Sequence, residues 1–150
     1  MTDNKLFVSW IDYYKMCERL CNQVKDEGFT DIVALARGGL IPAQILAHNL
    51  NIRHIQSLGV SLYSKNKKKA TLNFYQPITN KFTPKSKILV VDDIADSGET
   101  LLKCLPFINN GKQIEIAVLF YKSEKSVVRP KYFAHSIPSH FWVVFPYEKS

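Results

Sequence analysis

Cysteine is scarce and unpatterned in this 150-residue chain, and that excludes two architectures at once. Cys17, Cys21 and Cys104 are odd in number and form no Cys-x-x-Cys unit, so neither a disulfide framework nor a thiolate zinc site is legible. They read as small buried hydrophobes in a reducing compartment. The histidines, His48, His54, His135 and His140, lack metal-ligand spacing and read as structural. No stretch is apolar for long enough to span a bilayer. The start, Met1-Thr-Asp-Asn-Lys5, lacks the apolar core of a secretory signal, so a cytoplasmic protein is expected. Repeats, low-complexity tracts and interdomain linkers are also missing, and residues 1–150 are expected to form a single domain.

Acid is the charge in short supply. Lysine and arginine number 20 against 13 aspartates and glutamates, a formal net charge of +7. That balance suits a polyanion, whether nucleic acid, a membrane surface or a small polyphosphate. The densest run, Lys65-Asn-Lys-Lys-Lys69, reads either as a solvated loop or as a loop closing over a multiply charged ligand. Hydrophobic residues make up 46% and charged residues 22%, an ordinary profile for a chain with one real core.

Periodicity supplies a coarse map. Leu6–Val8 reads as a short edge strand. Ser9 with Asp12 resembles a capping box, and Tyr13, Cys17, Leu20, Cys21 and Val24 then recur on one helical face, with Gly28 as a stop. Asp31–Leu35 reads as a buried strand, 36–39 as a turn, and Leu40–Leu50 as a helix with Pro42 tolerated in its first turn. A strand lies within Ile52–Tyr63, and Leu72–Gln76 is expected to return beside it as a two-stranded flap. Lys87–Val91 is a central strand. A helix over Glu99–Asn109 is expected to be kinked or shortened by Pro106, and Ile114–Tyr121 is another strand. The tail is aromatic and proline-punctuated. Strands alternating with helices predict a largely parallel sheet covered on both faces.

The run Ile88–Thr100 concentrates the chemistry. Four apolar residues read as a strand buried on both faces. Asp92 and Asp93 follow where that strand is expected to end. Asp96, Ser97, Gly98, Glu99 and Thr100 then form a turn at a helix N-terminus. Unpaired N–H groups there attract an anion, Gly98 lets the backbone approach it, and the hydroxyls of Ser97 and Thr100 add donors. The two aspartates repel phosphate but suit vicinal hydroxyls, directly or through magnesium. A ribose 5-phosphate satisfies both halves. Arg37-Gly38-Gly39 follows a strand at the same end of the sheet. Its glycines can curl around an anion that Arg37 clamps.

Val90–Thr100 resembles the phosphoribosyl-pyrophosphate (PRPP) signature of the type I phosphoribosyltransferases. With Arg37-Gly38-Gly39, Lys122 and the late Trp142-Val143, the likeness points to the small bacterial xanthine–guanine enzymes. That resemblance implies a mostly parallel α/β sheet flanked by helices, a flap at about 60–76, and a C-terminal hood or base-binding tail at about 122–150. It implies PRPP bound by Asp92, Asp93, Asp96, Ser97, Gly98, Glu99 and Thr100, and pyrophosphate bound by Arg37, Gly38, Gly39, Lys68 and Lys69. A non-proline cis bond at Ala36–Arg37 is implied by the same likeness. Lys122 would meet the 6-oxo group of a purine base, Trp142 would stack on it, and the Val143 backbone would bond its edge. Asp96 is the expected catalytic residue. Magnesium is the expected cofactor, with Asp92, Asp93 and Glu148 as ligands. The products would be a nucleoside monophosphate and pyrophosphate, and the assembly a homodimer or homotetramer, with neither nucleic acid nor a membrane span involved. Two other readings stay open: a non-enzymatic PRPP-sensing regulator, and a transferase using another base.

Overall fold

The computed structural model of the protein describes residues 4–63, 71–79, 81–108 and 113–148. Its centre is a six-stranded sheet in the order β4-β3-β2-β5-β6-β7. The strands are β2 (Asp31–Ala36), β3 (His54–Tyr63), β4 (Thr71–Gln76), β5 (Lys87–Ala95), β6 (Gln113–Tyr121) and β7 (Tyr132–Ser136). All neighbours run parallel except β3 and β4.

The apolar runs are continuous because the sheet is covered on both sides. In β2, Ile32 and Ala34 enter one core while Val33 and Leu35 enter the other. Leu89 and Val91 alternate with Ile88 and Val90 in β5 in the same way. The first core is roofed by α1 (Trp10–Val24) and α2 (Leu40–Asn49), the second by α3 (Glu99–Ile108). All three cysteines are free and buried in these cores. No helix among the described residues is long and apolar enough to cross a membrane.

Helix α1 begins as its sequence predicts. Ser9 is the N-cap, its Oγ accepting from the Asp12 N–H at 3.1 Å and donating to the Asp12 carboxylate at 2.8 Å. The buried face is Tyr13, Met16, Cys17, Leu20, Cys21 and Val24, the expected stripe with Met16 added.

Two expectations need correction. First, β5 does not end at Val91 but runs to Ala95, so Asp92 and Asp93 lie within the strand. The reason is its neighbour: β2 pairs with β5 only as far as Ala34–Val91, while β6 continues alongside to Ala95–Tyr121. Second, the first strand is no edge of the main sheet. β1 (Asn4–Phe7) pairs in parallel with β8 (Phe141–Val144) as a separate two-stranded hood. The helix expected behind the phosphate loop is α3, which carries Pro106 within it and is described as far as Ile108. The expected flap hairpin is present as β3 paired antiparallel with β4. Lys68 and Lys69 lie outside the described residues.

Candidate active site

The sheet opens between β2 and β5. The chain leaves β2 toward β3 on one side and β5 toward β6 on the other, so their shared C-terminal edge is a topological switch point. Two adjoining cavities lie there. The smaller, about 210 Å³, is lined by Arg37, Gly38, Asp92, Asp96, Ser97, Gly98 and Thr100 among others. The larger, about 1150 Å³, shares Arg37 and Gly38 and adds Asp93, Tyr147 and Glu148. Sequence-predicted residues from three separate segments therefore meet at one sheet edge.

Sterics fix the glycines. A Cβ on Gly39 would collide with the Val91 carbonyl oxygen and the Leu35 backbone, and one on Gly38 with the Asp93 carboxylate. The turn before them contains a cis Ala36–Arg37 bond. Gly98 has φ +73°, and a side chain there would strike Ser126 and Val128. Beyond Gly98 the N–H groups of the first α3 turn have no intrahelical acceptor, and that of Glu99 donates to Ser97 Oγ at 3.3 Å.

The acidic groups differ sharply. Burial, then the neighbouring Asp93 charge, pushes Asp92 well above the usual carboxylate range. Asp93 is gripped from the tail: Tyr147 Oη donates to its Oδ2 at 2.6 Å. Tyr147 is itself held by a stack on Phe145 (5.5 Å, 6°) and an edge contact to Tyr13 (6.1 Å). Burial and Asp93 raise the Tyr147 phenol, so it is a donor throughout the neutral range. Asp96 is different again. Burial acts to raise it, but Lys125 and Lys122 together outweigh that and hold its carboxyl below the usual range. Lys122 Nζ is 3.2 Å and Lys125 Nζ 2.8 Å from Asp96 Oδ1.

The sequence over residues 9–149 matches the family model for the phosphoribosyl transferase domain. The chain belongs to the phosphoribosyltransferase family. It is 26% identical to a xanthine-guanine phosphoribosyltransferase of Idiomarina loihiensis over 98% of this chain and 89% of that one. A Vibrio atlanticus protein of the same name is 30% identical over 75% of this chain and 71% of that one. In structure the chain is similar to a purine phosphoribosyltransferase from Pyrococcus horikoshii. The TM-score is 0.88 at 28% identity, with 98% of this chain and 96% of that chain covered. Both the fold and the transferase class expected from the signature hold.

In this phosphoribosyltransferase the expected residues are unequally distributed. Asp92, Asp96, Ser97, Gly98 and Thr100 line the smaller cavity with Arg37 and Gly38, while Gly39 is buried beneath the turn. Glu99 is exposed in the first turn of α3. Lys122 lies deep in the protein and meets Asp96. Val143 is core, and Trp142 on the same strand is 61% exposed. Neither lines the two cavities. Glu148 lines the larger cavity with Asp93, yet no three acidic, histidine or cysteine side chains among the described residues converge as a metal cage. Two adjacent carboxylates, one raised by burial and then by its neighbour's charge, do fit a divalent cation that takes its remaining oxygens from a substrate.

Sequence reasoning missed Tyr147 and Lys125. The spacing Lys122-Ser-Glu-Lys125 after a strand was the available signal for the second. For Tyr147 only the turn-forming Phe145-Pro-Tyr-Glu148 hinted that the tail folds back.

Proposed function

We propose that this phosphoribosyltransferase serves purine salvage. It would transfer the 5-phosphoribosyl group of PRPP to a 6-oxopurine (xanthine, guanine or hypoxanthine), giving the nucleoside 5′-monophosphate and pyrophosphate. The observation that carries this reading is the pairing of a sealed ammonium, Lys122, with the ionised Asp96 beside the phosphate loop. A 6-oxopurine presents a carbonyl oxygen next to an imidazole N–H, the complement of an ammonium next to a carboxylate. The names of the similar relatives support the same base class.

The chemistry is displacement at C1 of the ribose. The bond from C1 to pyrophosphate breaks, a purine nitrogen bonds to C1, and the proton on the imidazole edge passes to Asp96. Asp92 and Asp93 hold the ribose hydroxyls, and the N–H groups of 97–100 hold the 5-phosphate. Arg37, over the Gly38-Gly39 turn, neutralises the leaving pyrophosphate as its charge grows. Magnesium, when bound, adds positive charge to the same leaving group, and Asp92 and Asp93, with Glu148 near them, are the residues that would hold it. The β3–β4 hairpin stands over the larger cavity through Ser61, Tyr75 and Gln76. Its closure would exclude water from the activated sugar.

A panel of bases with PRPP and magnesium tests this. Nucleotide should form from xanthine, guanine or hypoxanthine and not from adenine or uracil. Activity confined to adenine or uracil would contradict the pocket assignment. In Lys122→Ala, kcat/KM for the oxopurines should fall roughly 10- to 100-fold, the worth of one hydrogen bond to a charged group. The KM for PRPP should stay close to wild type.

A further inference from the structure

We infer that Lys125 is a positioning residue for Asp96, holding that carboxylate in place while Lys122 leaves it for the purine oxygen. The inference rests on the 6-oxopurine reading for the group that draws Lys122 away, and on geometry for the rest.

Both ammonium groups converge on one oxygen, Asp96 Oδ1, which is sealed from solvent. The Asp96 side chain is nevertheless 37% exposed, so Oδ2 is the oxygen presented to the cavity and to an incoming proton. The two lysines are not equivalent. The Lys122 side chain is 4% exposed, that of Lys125 49%. A sealed ammonium needs an acceptor at all times, so Lys122 must face either Asp96 or a substrate oxygen. With Lys122 alone, purine binding would strip Asp96 of its cation at the moment it must stay ionised. A second ammonium on the same oxygen removes that conflict. Its mutual repulsion with the first is tolerable because Lys125 is half in water.

The turn that carries Lys125 is latched to the phosphate loop. Lys122 N donates to Ala95 O at 3.1 Å and Val127 N to Ser97 O at 2.7 Å. Lys125 N and Ser126 N both donate to Lys122 O, at 3.1 and 2.9 Å. Ser126 fills the space that the missing Gly98 side chain leaves. Asp96 and Lys125 are therefore carried on one hydrogen-bonded backbone framework. Arg37 and Asp92 share the cavity lining with Asp96, and among the described residues Asp96 forms ion pairs with the two lysines. The same two lysines are what lower its carboxyl against the opposing effect of burial.

Two readouts test the inference. The first is a carbon-detected NMR titration of the Asp96 carboxyl without substrate. In Lys122→Ala, which imitates the departure of Lys122, Asp96 should still titrate below ordinary carboxylates. In Lys122→Ala/Lys125→Met it should titrate clearly higher. Equal midpoints in the two variants overturn the inference, whatever the activity. The second is turnover with hypoxanthine. Lys125→Met should lower kcat roughly two- to fivefold, the worth of one partly exposed ion pair, with the KM for PRPP unchanged. The acid limb of the kcat profile should move to higher pH, because a carboxylate relieved of a neighbouring cation takes up its proton more readily. Lys125→Arg should restore both. An unmoved acid limb with unchanged kcat overturns the inference. Failure of the wild type to use any oxopurine counts against the proposed function, and the titration then still decides whether Lys125 holds Asp96.

Discussion

Asp96→Asn is expected to lower kcat by about 100- to 10,000-fold, the usual worth of a positioned general acid or base, with PRPP affinity nearly intact. The substitution preserves shape and removes the charge that Lys122 and Lys125 bracket at 3.2 and 2.8 Å. An amide cannot take the imidazole proton. The other residues assigned to PRPP lie to either side: Asp92 and Asp93 on β5, and the N–H groups following Ser97. Steady-state kinetics with varied PRPP checks the split between kcat and KM. A turnover equal to wild type would exclude the proton role. A large rise in the KM for PRPP would move Asp96 into the sugar site instead.

Gly39→Ala is the second large expected effect, and it acts through the backbone. The added methyl has nowhere to go, because the Val91 carbonyl and the Leu35 backbone belong to the two central strands. Neither can move without disturbing the sheet. Overpacking of this kind costs about 1–3 kcal/mol, and the turn carrying Arg37 must shift to accommodate it. The expected results are a lowered Tm and a loss of PRPP binding by calorimetry. Gly28→Ala is the contrast. Gly28 also adopts a positive φ, of +74°, but a Cβ there meets no atom within 4 Å. It should lose stability through backbone strain while PRPP binding is unchanged. Equal PRPP binding in the two variants would remove the close approach at Gly39 from the account.

Much of this was legible because local patterns govern it. The α1 stripe repeats at helical spacing behind Ser9, and the apolar runs of β2, β5 and β6 have the length and composition of strands covered on both faces. The phosphate loop was legible because its chemistry is contiguous from Asp92 to Thr100. What escaped depends on partners far along the chain. The strand assignment for Asp92 and Asp93 follows from β6 outrunning β2 as a neighbour of β5. The hood joins β1 to β8 across nearly the whole chain, and no periodicity announces such a pairing. Gly38 and Gly39 read as a turn that curls around an anion; their stronger constraint is the nearness of Asp93 and Val91. Tyr147 reaches Asp93 from 54 residues away. Trp142 shows the limit in the other direction: it is exposed beside buried Val143 on β8, but exposure alone does not distinguish a base-stacking face from an outer one.

The most direct test is a crystal structure of the protein with a nucleoside 5′-monophosphate bound. The account predicts the phosphate on the N–H groups of residues 97–100, the ribose hydroxyls against Asp92 and Asp93, and the purine edge between Lys122 and Asp96. A nucleotide seated elsewhere, with that loop empty, would contradict it.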